Sequence, residues 1–169
     1  LVQGLSKLGY SMEDLTVELF ASDKQHVLDL YCSKGANCCY KFYWPTMGMT
    51  YRNPQFSELG KVLTKVAYER LRMVICTPDW GAVGDNQYWR ELLEKLTLTT
   101  TPLPDEAIYI PLGKSRPMGK PGWGSMLSVV DGALAPVSWE ELDSALLQEI
   151  QEECKGFKLG ILKKRKKTP

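Results

Sequence analysis

The sequence predicts an α/β sandwich with a largely parallel sheet, and three observations carry that prediction. Early in the chain, short runs of β-forming residues alternate with segments whose apolar residues recur at helical spacing. Met73-Val74-Ile75-Cys76 is a continuous apolar run of strand length, the pattern of a strand covered on both faces. The chain has 169 residues, 44% of them hydrophobic, which suits one domain with a real core.

The elements follow in order. Leu1 to Leu15 reads as a short leading helix or arm, with Ser11 placed to cap Met12-Glu13-Asp14. Thr16-Val17-Glu18-Leu19-Phe20-Ala21 is a short strand, and Ser22-Asp23 opens a polar turn or a helix start. Val27 to Tyr31 fits either a helix or a second short strand. Tyr40-Lys41-Phe42-Tyr43-Trp44 is aromatic and ends at Pro45, a cluster that reads as core before it reads as a stacking platform. Gly48 to Tyr51 is a strand that feeds the turn Arg52-Asn53-Pro54-Gln55-Phe56. Ser57 to Leu71 carries Leu59, Val62, Leu63, Val66, Ala67 and Leu71 on one helical face, with Lys61, Lys65 and Arg70 off it. Arg72 to Cys76 is the clearest buried strand, and Thr77-Pro78-Asp79-Trp80 reads as the turn that ends it. Tyr88 to Leu96 is a helix. Glu106 to Leu112 and Ser125 to Val130 are two further strands, joined by the basic Gly/Pro-rich loop that holds Lys114, Arg116 and Lys120. Ser138 to Cys154 is a helix, with Ser138 and Glu141 in capping-box spacing. The expected division is 1–15 an arm or helix, 16–131 the α/β domain, 132–157 the C-terminal helix, and 158–169 a basic disordered tail.

Composition narrows the function classes. Six of the 21 cationic residues are Lys158, Lys163, Lys164, Arg165, Lys166 and Lys167; the remaining 15 face 20 acidic residues. The body is mildly acidic, so affinity for a polyanion has to come from a local patch or from the tail. That tail suits a nuclear-import signal, an electrostatic arm or a solubilising segment. No apolar run reaches the roughly 18 residues of a membrane span. Five cysteines at irregular spacing, no CxxC and a single histidine argue against a metal site. The thiols are expected to be reduced, in an intracellular protein. His26 lacks a Ser or Cys partner pattern and reads as a surface or half-buried residue. A chain that starts at Leu1 without Met reads as a fragment, a processed chain, or part of something longer.

The chemistry concentrates at Asn53-Pro54-Gln55-Phe56. A strand, a polar turn with an aromatic, a helix and a strand in succession place a small site at a strand's carboxyl end. The Asn amide oxygen accepts from an amine, the Pro carbonyl is a second acceptor, and the Phe ring stacks on a flat base. An ordinary turn entering a helix, with Phe56 in the core, accounts for the same four residues.

With those blocks placed, the chain resembles the small adenine methyltransferases of bacteriophages, and the methyltransferase-like domain that follows reverse transcriptase and RNase H in DIRS-type retroelements. The likeness runs over residues 16–131, in order: TVELFAS at Thr16 to Ser22, YRNPQF at Tyr51 to Phe56, the helix Ser57 to Glu69 with its Lys-x-x-x-Glu, MVICTPDW at Met73 to Trp80, and Ile108 to Lys114 with Gly124 to Val130. The resemblance implies a Rossmann-like methyltransferase-type fold that uses S-adenosylmethionine to methylate the exocyclic amine of adenine in nucleic acid. It assigns Asn53, Pro54 and Phe56 to catalysis, and Glu18, Phe20 and Ala21 to the cofactor. Lys114, Arg116 and Lys120, with the tail, would contact nucleic acid. Two departures stand out. Gln55 replaces the family's second proline, and Ala21-Ser22-Asp23 stands where a glycine-rich turn would let backbone approach a cofactor. They motivate the alternative of a catalytically inactive scaffold that serves as a binding or assembly module for a protein partner.

Overall fold

The computed structural model describes residues 1–21, 26–33, 48–54, 56–79, 87–104, 124–135 and 148. Among these residues six strands form one sheet: β1 (Val17–Ala21), β2 (Tyr31–Ser33), β3 (Thr50–Arg52), β4 (Arg72–Asp79), β5 (Thr97–Pro102) and β6 (Gly124–Asp131). Their order is β2-β1-β3-β4-β6-β5. The first four are mutually parallel, whereas β6 is antiparallel to both β4 and β5. The α/β class is as expected, but the sheet is mixed and its parallel character belongs to the first part of the chain. Among the described residues, three helices of defined extent accompany it: α1 (Val2–Lys7), α2 (Leu59–Glu69) and α3 (Gln87–Leu96).

Period-two alternation along β4 explains how one strand serves two cores. Met73 and Ile75 point into a cluster with Val62, Leu63 and Val66 of α2 and Trp89, Leu92 and Leu96 of α3. Val74 and Cys76 point the other way, to Leu5 and Leu8 with Leu127 and Val129 of β6. Each fully buried side chain of this kind stabilises the fold by about 1.5–3 kcal/mol. The expected arm is α1 followed by a single 3-10 turn at Met12–Asp14. Ser11 N donates to Asp14 Oδ2 there at 2.8 Å.

α2 departs from the expected amphipathic helix. Lys61 and Lys65, placed by spacing on a solvent face, are buried, and Lys65 Nζ meets Glu69 Oε1 at 2.7 Å with both side chains inaccessible. Every residue from Lys61 to Glu69 is buried, so the polar flank pairs along the helix at i,i+4 instead of meeting water. The helix ends on Arg70 in the left-handed conformation (φ 53°). Next to that end, Gly132 N donates to Leu71 O at 2.7 Å.

Two strand boundaries correct the sequence reading. β4 does not stop at Cys76: Thr77, Pro78 and Asp79 continue it, opposite Met126, Ser125 and Gly124. The partner that extends it is β6, which the local pattern of β4 does not announce. Pro78 is tolerated because β3 has already ended, with Arg52 opposite Ile75, so no ladder on that flank needs its missing N–H. The sheet closes on Thr97–Pro102, a strand the sequence reading missed, and β6 lies between it and β4. The expected strand at 106–112 and helix at 138–154 lie outside the described residues, as do the aromatic run Tyr40 to Trp44, Trp80 and the tail.

Cys32 is disulfide-bonded, where a reduced thiol was expected; its partner lies outside the described residues. Cys76 is a free, buried thiol. Among the described residues no helix is long and apolar enough to cross a membrane.

Candidate functional site

The chain runs from β1 outward to β2, then returns across β1 to lay down β3 on its other side. Strand order therefore reverses between β1 and β3, and in open α/β sheets ligands bind in the crevice outside the carboxyl ends at such a point. The register sets Leu19 opposite Arg52, which brings Phe20 and Ala21 beside Asn53 and Pro54. Sequence-predicted residues from two separate blocks thus meet at the reversal. β4 runs on past the end of β3 to the exposed Asp79.

Asn53 is exposed and Pro54 is buried. Pro54 fixes the chain's direction out of β3 and leads into the 3-10 turn Phe56–Glu58, which runs into α2. The Asn53 carboxamide carries a donor and an acceptor on one planar group, the combination that pairs with the edge of adenine. Phe56 is the first residue of the 3-10 turn.

Glu18 is buried, and one of its carboxylate oxygens accepts two backbone hydrogen bonds. Oε2 accepts from Val27 N at 2.5 Å and from Leu28 N at 3.0 Å. Glu18 N in turn donates to Leu30 O at 3.0 Å. This matters because the β1–β2 connection spans only residues 22–30, short for a parallel crossover, and among its described residues there is no helix. The carboxylate substitutes for helix packing by pinning the connection to the sheet.

Phe20 has φ +67°, a left-handed backbone rare for a bulky residue. The register of β1 with β2 shifts at this point, between Leu19 and Ala21. Strict alternation would place the Phe20 ring on the face of Glu18 and Tyr51. Instead it packs against the α2-side cluster that holds Val17 and Leu19. The left-handed conformation that a glycine would provide is therefore present without a glycine.

Sequence reasoning gave no site role to three residues here, Arg52, His26 and Tyr31. Arg52 is fully buried at the end of β3, and its Nη2 donates to Thr50 Oγ1 at 3.2 Å. Its signal was a cation interrupting an apolar strand immediately before the turn. His26 is exposed, with Nδ1 2.9 Å from Leu28 O. Its ring stacks on Tyr31 with centroids 4.0 Å apart and planes 13° from parallel. Neither residue type nor spacing foretold that stack. Lys114, Arg116 and Lys120 lie outside the described residues, and among the described residues no cluster could hold a metal ion. Comparison with protein-family models, with curated proteins and with solved structures returns no match.

Proposed function

We propose that this chain is a methyltransferase-like domain that binds S-adenosylmethionine and acts on adenine in nucleic acid. The observation that carries the reading is an exposed Asn53, followed by Pro54, at the reversal of strand order. In this reading the Asn53 Oδ1 and the Pro54 carbonyl accept from the exocyclic amine and hold its lone pair toward the methyl donor. The amine's proton leaves to solvent, so positioning does most of the work and no dedicated base is needed. Phe56 stacks on the extruded base. The bound cofactor supplies an electrophilic methyl group on a sulfonium. Phe20 and Ala21 belong to that group's side of the crevice in this reading: the Phe20 ring is turned away into the α2-side cluster, and Ala21 presents little bulk. Lys114, Arg116, Lys120 and the basic tail belong to the same reading as contacts to phosphate. Descent from a retroelement polyprotein is part of it as well.

One observation favours a second reading, an inactive scaffold that binds a partner. Glu18 Oε2 is committed to Val27 and Leu28, and no helix N-terminus follows β1 among the described residues to receive a cofactor. Calorimetric titration with S-adenosylmethionine, with S-adenosylhomocysteine as comparison, separates the two. Micromolar binding supports the first; no heat from a folded chain supports the second. In the first case Asn53→Ala abolishes methyl transfer and leaves the circular dichroism spectrum unchanged, and undiminished transfer by that variant would sink the assignment.

A further inference from the structure

We infer that the stacked pair His26–Tyr31 is a platform for a second nucleobase a few positions along the strand from the target, so that the domain grips a short single strand at two points. The inference rests on the reading of Asn53 as the base-binding residue. The register places Tyr31, Glu18 and Tyr51 side by side across β2, β1 and β3, hence on one face of the sheet. Asn53 lies two residues beyond Tyr51 along the same strand direction. Two inter-strand steps and two residues of rise put Tyr31 and Asn53 about 12 Å apart. That is roughly three to four stacked nucleotides at about 3.4 Å each.

The chemistry of the pair suits that role. His26 uses one ring face against Tyr31, and the residue is exposed, so the near-parallel stack can be extended from its other side. Val27 and Leu30, 55% and 64% exposed, flank it with apolar surface of the kind unstacked bases cover. The segment is rigidly held for an exposed stretch, because the Val27 and Leu28 amides are tied to Glu18 and the His26 ring to Leu28 O. A platform fixed before binding loses little entropy on stacking. Asp29, exposed in the same segment, disfavours phosphate there. The contact is therefore to a base face and adds nothing to the salt dependence of binding.

The test uses the full chain, a fluorescent oligo(dA) of about eight nucleotides, and salt high enough to suppress contacts from the tail. His26→Ala is expected to weaken oligonucleotide binding about 5- to 150-fold, the range for losing one base–aromatic stack. His26→Phe restores it to within about twofold of wild type, since stacking and not charge is what counts. Binding of adenosine monophosphate, which reaches only Asn53, is unchanged in both variants. Equal oligonucleotide affinity for wild type and His26→Ala overturns the platform and leaves the Asn53 reading intact. An equal loss for the mononucleotide shows a structural effect and also overturns it. A wild-type chain that binds neither probe overturns the platform and the base-binding reading together.

Discussion

Replacing Glu18 tests whether the β1–β2 connection is held by a carboxylate. Glu18→Ala removes the acceptor for two backbone N–H groups at 2.5 and 3.0 Å. A hydrogen bond to a charged group contributes about 1.5–3 kcal/mol. Val27 is 55% exposed, so water takes over part of its bond, and the expected loss is about 2–3 kcal/mol in total. Glu18→Gln keeps one oxygen within reach of both amides but removes the charge, which roughly halves the bonds and costs about 1 kcal/mol. For a urea slope of about 2 kcal/mol/M, the unfolding midpoint falls by about 1–1.5 M for alanine and about 0.5 M for glutamine. Hydrogen exchange at the Val27 and Leu28 amides should accelerate in the alanine variant, while amides of β4 keep their protection relative to global unfolding. An alanine midpoint within about 0.3 M of wild type would refute the clasp, because measured stability would then not depend on either bond.

Two further perturbations read other parts of the fold. A Cβ on Gly132 would lie 2.1 Å from Val66 O, 2.8 Å from Arg70 Cα and 2.9 Å from Leu71 N, all backbone atoms that cannot rotate away. Gly132→Ala should therefore cost about 3 kcal/mol or more and lower the melting temperature steeply. Gly9→Ala, at φ +84° with nothing within 4 Å, should cost only about 1–2 kcal/mol for its left-handed backbone; equal effects at the two sites, measured by thermal denaturation, would contradict the steric argument. Arg72, paired with Asp131 at 2.9 Å but half-exposed, should lose under about 1 kcal/mol on change to Met, and less in high salt. The hydrogen bond and charge of Asp131 raise the Arg72 pKa above its ordinary, already strongly basic value. Its contribution is thus constant across the neutral range and is lost on the basic side only when Arg72 deprotonates in strongly basic solution. An Arg72-dependent stability change within the neutral range would contradict this assignment.

Much of the fold was legible because local chemistry and tertiary environment agree. The continuous apolar run Met73 to Cys76 announces a strand with two covered faces, and two cores do cover it. The turn residue Pro54 and the helical spacing after it place Asn53 at a strand end, which is a local consequence of backbone restriction. What sequence could not supply depends on partners distant along the chain. β4 continues through Pro78 because β6 lies on one side and β3 has ended on the other. Thr97–Pro102 is mostly exposed and lacks an apolar alternation, so only its pairing with β6 makes it a strand. Lys65 looked solvated on its helical wheel, yet it is sealed beside Glu69, because what encloses a helix is not encoded in its own periodicity. The same holds at the site. The family resemblance implied Glu18 and Asn53 as one constellation; the register sets Asn53 at the strand reversal, and two hydrogen bonds tie Glu18 to the backbone of a short crossover. Sequence determined many of the local elements and the residue types they bear. Tertiary structure decided which of their polar groups remain to meet a ligand, since hydrogen-bond capacity is used up by neighbours that only folding brings near.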